Sequence, residues 1–396
     1  MDNNNNNNQN GNKNQDQNKK EEPTETTVAT TVATTTEATT TIEETETEIS
    51  EETTVETEPE IVINDGLYDP SNPLAVNPIT GLQDMDPANN GNRSVAIVIN
   101  NHHEALPQRG ISQADAIYEY ETEGGQTRLL ILFADLNTIP EVGSLRSARI
   151  ISTDLAAGMN SIFIHYGRNA RVPDHIKEWG VDHIDGNNCS AGPNSSANGE
   201  VTLPKGLFFW RDSVWKSQRA IEHTAVSNGA YIGAGIEHFD ISLTGKTPML
   251  FNFVPTDSAD IANGTDCNEL NVFFSQLNDD ALFTYNAEDK LYYKSQYNGT
   301  PQVDETTGLQ IAFTNVVVCY AEIHGHGDGT IDAYLENGGT GYYASNGKII
   351  PITWTKPTPN DQIKIFNADG NEVEVNRGKS YICMVDNDYT DKTTIN

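Results

Sequence analysis

Hydrophobic positions are nearly missing from the first sixty residues and frequent after them. Residues 1–20 are rich in Asn and Gln, and residues 21–60 alternate Thr with Glu, with occasional Val and Ala. Such a segment cannot bury enough apolar surface to offset its chain entropy, and its like charges extend it. The pattern therefore predicts a disordered tether over residues 1–60, followed by a folded body.

Apolar runs with two different periods follow in residues 61–254. Nearly continuous apolar runs, typical of buried strands, occupy 93–100, 114–124, 127–135 and 161–167. Apolar positions spaced as on one helix face predict helices over 144–160 and 169–180, each with a glycine near its C-terminal end. Strands that alternate with helices favour an N-terminal α/β layered domain.

From about residue 270 the pattern changes to short apolar runs separated by turn residues. Turn signals recur roughly every 8–12 residues, which is typical of an antiparallel β domain. Asp369 and Gly370 supply the turn of one hairpin. We therefore predict an α+β chain in which residues 255–396 form a mostly antiparallel β C-terminal domain.

The net charge of the chain limits the classes of molecule that it can bind. The chain has a formal net charge of −33, and residues 1–60 contain 15 acidic and 3 basic residues, so the folded body is also strongly acidic. An acidic surface repels phosphate backbones, so nucleic acid is excluded as a partner. No apolar run reaches the 18 residues that a membrane span needs, and the N-terminus has no apolar signal region.

The four cysteines have no C-x-x-C spacing, which excludes zinc ribbons and thioredoxin-like motifs. Cys319 and Cys383 lie in apolar runs and are expected to be buried free thiols, with a bridge between them as the alternative. Cys189 follows two histidines, but it lacks the arginine that follows the nucleophile of cell-wall L,D-transpeptidases. We therefore predict no thiol nucleophile.

Three polar side chains at alternate positions, His324, His326 and Asp328, would share a face of a strand and could hold a metal. The glycines between them favour a flexible loop instead. The sequence therefore predicts neither a metal nor a cofactor.

The densest polar cluster follows Gly143, in the segment SLRSAR. If a helix begins at Ser144, its free N–H groups and the side chains of Arg146 and Arg149 converge, which is an anion-binding arrangement. The alternative is that the arginines pair with Glu119, Glu121 or Glu123 and only hold the domain together. His165 ends a strand, where α/β folds place ligands. The candidate ligand-binding residues are Arg128, Arg146, Ser147, Arg149, Glu119, Glu123 and His165.

Several segments together resemble the YerB-like lipoprotein family, a domain-of-unknown-function family of Gram-positive bacteria. The resemblance covers about three quarters of the chain and rests on NPITGL, SVAIVINNHHEALPQRGISQADAIYEYETEGGQTRLLILF, VGSLRSAR, IHYG, FFWRD, EHTAVSNGAYI and DGNEVEVNRGKSYICMV. Ser144 stands where a proline is common. The resemblance implies an extracellular, lipid-anchored, cell-surface protein with two domains and carries no catalytic residue.

Three functions remain open. The first is a non-enzymatic module that binds an anionic cell-envelope polymer through Arg128, Arg146 and Arg149. The second is a structural role, with another envelope protein as partner. The third is a cell-wall enzyme that uses Glu119 or Glu121 as acid or base, although paired carboxylates alone do not make a hydrolase. A membrane would be reached only through a lipid-bearing cysteine that this sequence does not contain, which we expect upstream of Met1.

Overall fold

The computed structural model describes residues 66–187, 190–191, 208–276 and 280–396. The predicted tether, residues 1–60, and Cys189 lie outside this described part. Within it, strands alternate with helices up to about residue 240, and the rest consists mostly of antiparallel strands. The predicted α+β class is therefore confirmed.

The helices and strands coincide with the apolar runs, although their first and last residues differ from the predicted ones. The helices are α1 (Ile150–Gly158), α2 (Val172–Trp179), α3 (Trp215–Gln218), α4 (Gly229–His238) and α5 (Ala259–Ala262). The strands of the N-terminal half are β1 (Val95–Asn100), β2 (Ala116–Thr122), β3 (Gln126–Phe133), β4 (Val142–Gly143), β5 (Ile162–His165), β6 (His183–Asp185), β7 (Ser190–Ala191), β8 (Trp210–Arg211), β9 (Ala225–Ser227) and β10 (Phe253–Val254). Those of the C-terminal half are β11 (Thr265–Asp266), β12 (Glu269–Phe273), β13 (Asp280–Asn286), β14 (Leu291–Gln296), β15 (Thr300–Pro301), β16 (Ala312–Phe313), β17 (Asn315–Gly325), β18 (Ile331–Tyr334), β19 (Gly339–Ser345), β20 (Lys348–Thr355), β21 (Lys364–Phe366), β22 (Val375–Asn376), β23 (Ser380–Asp386) and β24 (Thr394–Ile395).

One large mixed sheet runs through both halves of the described chain. Its strand order is β11-β20-β19-β17-β23-β2-β3-β1-β5-β6-β7, with β18 on β17 and β21 on β20. The join is the strand β23, which pairs in parallel with β2 on one side and with β17 on the other. A smaller sheet, β15-β14-β13-β12-β24 with β16 on β14, belongs to the C-terminal half.

The large sheet is covered on both faces, which explains why its strands are continuous apolar runs rather than alternating ones. Odd positions of β1, such as Ile97, pack in a core with α4 and the smaller sheet. Even positions, such as Val98, pack in a second core with α1 and α2. Both residues are fully buried.

The predicted helix start at Ser144 is wrong, because α1 begins at Ile150. Residues 144–149 are extended and lie between the ends of β1 and β5. The N–H of Arg146 donates to Val98 O at 3.0 Å, and the N–H of Ala148 donates to Gly167 O at 2.9 Å. Sheet pairing therefore uses the backbone groups that a helix start would have left free for an anion.

The two cysteines in the apolar runs are buried free thiols, as expected. Strands β17 and β23 are neighbours, but Val318 is opposite Cys383 and Cys319 is opposite Met384. This one-residue offset directs the two thiols to opposite faces of the sheet, since side chains alternate along a strand. Cys319 accordingly packs in the α1 core and Cys383 in the other core.

The hairpin predicted at Asp369 and Gly370 is present. Gly370 has φ +80°, which only glycine adopts readily. Phe366 and Glu372 bridge across the turn.

Candidate functional site

Three arginines from three parts of the chain meet where β1 ends. Arg128 lies on β3, opposite Asn100 of β1 and Tyr120 of β2. Arg146 lies in the extended segment 144–149, and Arg149 is the N-cap residue of α1. Each of Arg146 and Arg149 is close enough to lower the pKa of Arg128. The sequence analysis expected Arg146 and Arg149 to converge at a helix start; in the structure the extended segment 144–149 brings them near Arg128 instead.

Arg149 is neutralised by one carboxylate. Its Nε donates to both oxygens of Glu123, at 2.6 and 2.7 Å, and its Nη2 lies 2.6 Å from Oε2. Burial by itself would raise the pKa of Glu123, but the hydrogen bonds from Arg149 hold this pKa below its usual value. Glu123 opens the tight turn between β2 and β3, in which Gly124 has φ +74°. The pairing alternative therefore holds for this arginine.

Arg128 has no such partner among the described residues. Its side chain is largely buried, with the residue 8% exposed, and Nη1 donates to the backbone oxygen of Ser147 at 2.5 Å. Burial lowers the pKa of Arg128 to about 9, and the charges of Arg149 and Arg146 act in the same direction. The guanidinium therefore stays charged at neutral pH, with most of its donors unused.

Arg146 is half-buried, and within the described chain its guanidinium forms no hydrogen bond or ion pair. Burial lowers its pKa; the nearby Glu222 opposes this effect, and Arg149 and Arg211 add to it. A partly buried arginine usually has a carboxylate partner, so a guanidinium without one among the described residues can accept an anion.

The charges of this arginine cluster do not balance. Arg128, Arg146 and Arg149 carry three positive charges; the Glu123 carboxylate pairs with Arg149, and the nearby Glu222 carboxylate acts on Arg146 without forming an ion pair, in a chain with a net charge of −33. Guanidinium groups recognise carboxylate and phosphate oxygens through two parallel N–H donors. The arrangement can therefore hold an anion chemically, and the described residues supply no internal one for Arg128 or Arg146.

Ser147 and His165 have structural partners. The Ser147 hydroxyl donates to Tyr166 O at 3.3 Å, and its carbonyl accepts from Arg128. His165 is fully buried, with Nδ1 at 2.8 Å from Gly167 O and Nε2 at 3.0 Å from His183 Nδ1. Burial lowers the pKa of His165, and the nearby Asp185 opposes this effect. These contacts orient the strand end and leave His165 without a donor for a ligand.

Glu119 lies apart from the arginines, in a buried network that joins β2 to the C-terminal half. One oxygen accepts from Asn101 at 2.8 Å and Thr127 at 2.7 Å, and the other accepts from Tyr381 at 2.6 Å. Lys294 Nζ lies 3.4 Å from that second oxygen. Because Glu119 is 1% exposed and its oxygens are engaged, it is a structural residue.

Sequence reasoning missed Lys294, which had no recognisable signal. It lies on an alternating strand where a lysine would usually face solvent, yet it is completely buried. Its Nζ donates to Gln302 Oε1 at 2.8 Å and to Gln296 Oε1 at 3.1 Å. These two amides and the distant carboxylate of Glu119 together explain its position.

His324, His326 and Asp328 contact polar side chains close to them in the sequence. His324 Nε2 lies 2.6 Å from Glu322, and His326 Nε2 lies 2.7 Å from Asp332. Asp328 accepts from Thr330. Among the described residues these three side chains do not form a group with metal-ligand spacing.

Glu121 is the carboxylate on which the enzymatic alternative would depend, since Glu119 is fully bonded. Burial, followed by the charge of Asp386, raises the pKa of Glu121 to about 7. A raised carboxyl pKa means that the folded state binds the proton more tightly than the unfolded state, so stability falls as pH rises from about 4.5 towards 7.

Glu121→Gln is therefore expected to change the free energy of unfolding more favourably at pH 8 than at pH 5. The difference should be about 1 kcal/mol once partial exposure is allowed for. Urea unfolding at both pH values measures it, with the exposed Glu237→Gln on α4 as control. A shift of equal size at both pH values would show that Glu121 titrates normally.

Two family models, one curated protein and one solved structure match the chain. The N-terminal domain of DUF3048, a protein family of unknown function, matches residues 79–242, and its C-terminal domain matches residues 270–382. The predicted boundary at 254/255 falls between these matches and stays a prediction. No helix in the described ranges is long and apolar enough to cross a membrane.

The curated relative is "Putative lipoprotein YerB" of Bacillus subtilis, which is 30% identical over 78% of this chain and 85% of its own length. The crystal structure of YerB from Bacillus subtilis matches with a TM-score of 0.67 and 26% identity, over 81% of this chain and 98% of that chain. The chain therefore belongs to DUF3048, a family of unknown function, with both of its domains, and is similar to the "Putative lipoprotein YerB".

Proposed function

We propose that this protein is a lipid-anchored, extracellular surface protein that binds an anionic cell-envelope polymer through Arg128, Arg146 and Arg149. The observation that carries the proposal is the pair of buried or half-buried arginines, Arg128 and Arg146, that have no carboxylate partner among the described residues. The name of the curated relative supports the anchoring.

A bound anion would stabilise the charged guanidinium groups of the site. Burial and the neighbouring arginines oppose the charge on Arg128, as its lowered pKa shows. A phosphate or carboxylate placed between Arg128 and Arg146 would supply charge-assisted hydrogen bonds, each stabilising by roughly 1.5–3 kcal/mol. The acidic surface repels a polyanion at long range, so the contact must form locally at the arginines.

The competing functions use other residues. A purely structural role accounts for Arg149, which is paired with Glu123, but leaves the charges of Arg128 and Arg146 unmatched. An enzyme would need Glu121, whose pKa responds to the charge of Asp386 rather than to that of an arginine. Of the three proposed functions, anion binding therefore accounts best for Arg128 and Arg146.

Arg146→Ala is expected to weaken binding to a purified phosphodiester wall polymer at least tenfold, because one charge-assisted contact is lost. The melting temperature should stay within about 2 °C of the wild-type value, since Arg146 has no partner in the described chain to lose. Retention of the full chain on immobilised polymer, with a neutral polysaccharide as reference, measures the first effect, and thermal melting measures the second.

Arg171→Ala is the matched control, because Arg171 is also an arginine of the N-terminal half but is 40% exposed and 3.6 Å from Asp328. Its removal should leave retention unchanged. Equal weakening by both variants would indicate non-specific charge attraction. A fall in melting temperature that parallels lost retention in Arg146→Ala would assign the arginine to scaffolding.

A further inference from the structure

A second polar cluster lies just beyond the end of β1, outside the arginine cluster. It consists of His102 and Glu104, which are two positions apart in the chain at a short turn, and of His223, which precedes β9. One ligand atom from each of the three side chains lies within 4.8 Å of the others. The sequence did not suggest this group, because His223 is more than a hundred residues from the other two.

The rings of both histidines are held in place by hydrogen bonds. His223 is buried, with Nδ1 at 2.7 Å from the Asn100 side-chain amide and Nε2 at 3.5 Å from Glu104 Oε2. His102 Nδ1 accepts from the backbone N–H of Glu104 at 3.1 Å, so in the neutral ring the lone pair is on Nδ1 and Nε2 carries the proton. The rings stack with centroids 5.2 Å apart. A ligating nitrogen must carry a lone pair, so a metal would bind His102 at Nδ1, in place of the Glu104 N–H donor.

The local charges favour a cation. The charged groups that act on His223 are Arg146, Glu222 and Glu104, which together give one excess negative charge when both histidines are neutral. Burial first, and then the charge of Arg146, lowers the pKa of His223. The pKa of His102 is also lowered, with burial as the main cause.

We propose that His102, Glu104 and His223 bind one divalent transition-metal ion of the Zn²⁺ class. Imidazole nitrogen suits Zn²⁺, and two histidines with one glutamate are a known three-ligand set that leaves a fourth position open. Ligand atoms around tetrahedral zinc lie about 3.4 Å apart at the usual bond lengths. The separation of His223 Nε2 and Glu104 Oε2 already fits, and the Glu104 side chain, 58% exposed, is free to adjust.

Binding at Nε2 leaves the His223 proton on Nδ1, so Asn100 must present its amide oxygen there. That oxygen already accepts from the backbone N–H of His102 at 3.1 Å. An amide oxygen has two acceptor sites and can serve both donors after a rotation of the side chain. Asn100 is therefore the positioning residue of the site.

Calorimetric titration of the metal-stripped full chain with ZnCl₂ at pH 7 tests the proposal. The wild-type protein should bind one equivalent saturably, and His102→Ala and Glu104→Gln should each weaken binding at least tenfold. His324→Ala is the control, because His324 is exposed beside Glu322 in the other histidine loop. It should leave the affinity unchanged. Thermal melts of the apo variants establish that each is folded, and Glu104→Gln remains informative because its side chain is mostly exposed.

Three results would overturn the site. The first is the lack of saturable Zn²⁺ binding by the wild-type chain. The second is unchanged affinity in folded His102→Ala and Glu104→Gln. The third is loss of the one-equivalent site in His324→Ala alone, which would assign the metal to the other loop.

Discussion

Replacing Lys294 by methionine is expected to lower the free energy of unfolding by about 3–5 kcal/mol. Methionine keeps the volume of the side chain but removes the cation that faces Glu119, 3.4 Å away in a fully buried site. The carboxylate keeps its neutral donors, Asn101, Thr127 and Tyr381, but no longer has a compensating charge. A buried carboxylate without a cation is far more costly than the pair itself is stabilising.

Urea unfolding at pH 7 measures this effect, and Lys364→Met supplies the control. Lys364 also pairs with a glutamate, Glu372 at 3.2 Å, but is 48% exposed, so its loss should cost under about 1 kcal/mol. Adding Glu119→Gln to Lys294→Met should recover part of the stability, since glutamine is neutral. If Lys294→Met alone stays within 1 kcal/mol of the wild type, the pair does not stabilise the join between the two halves.

Replacing Gly341 by alanine is expected to destabilise the large sheet by about 3 kcal/mol or more. Gly341 is buried on β19, opposite Cys319 of β17. A Cβ there would lie 1.8 Å from the backbone oxygen of Val318 and 2.9 Å from its carbonyl carbon. Because both are backbone atoms of the central strand, relief requires the two strands to separate.

The matched control is Gly233→Ala, a second glycine-to-alanine change but in the interior of α4. Its Cβ would meet only the flexible end of Leu136, at 3.3 Å. Alanine is favoured over glycine inside a helix by about 1 kcal/mol, so this variant should be neutral or slightly stabilised. Thermal melting compares the two. Similar melting temperatures for both variants would mean that β17 and β19 tolerate wider spacing than the structure has.

Local patterns predicted the elements of the fold but not how its halves are joined. The apolar runs identified β1, β2, β3 and β5, since strands buried on both faces leave a continuous signal. The parallel pairing of β2 with β23 brings together residues more than 260 positions apart, for which a single sequence has no signal. The same holds for Lys294, whose burial depends in part on its distant partner.

The candidate site was predicted in part, for similar reasons. The convergence of Arg128, Arg146 and Arg149 follows from their nearness to one strand end, and the Arg149–Glu123 pair was the stated alternative. The helix predicted from Ser144 failed because apolar spacing alone cannot show that β1 and β5 take up the backbone of residues 144–149. Tertiary hydrogen bonding thus overrode a local helical pattern.

The most direct test of the arginine site is a crystal structure of the protein soaked in selenate, a tetrahedral oxyanion that anomalous scattering locates without ambiguity. We expect a selenium peak within hydrogen-bonding reach of both Arg128 and Arg146, with Arg149 still paired to Glu123. Selenate found only at other surfaces, with Arg146 free and Arg128 still bonded to Ser147 alone, would contradict the proposed anion site.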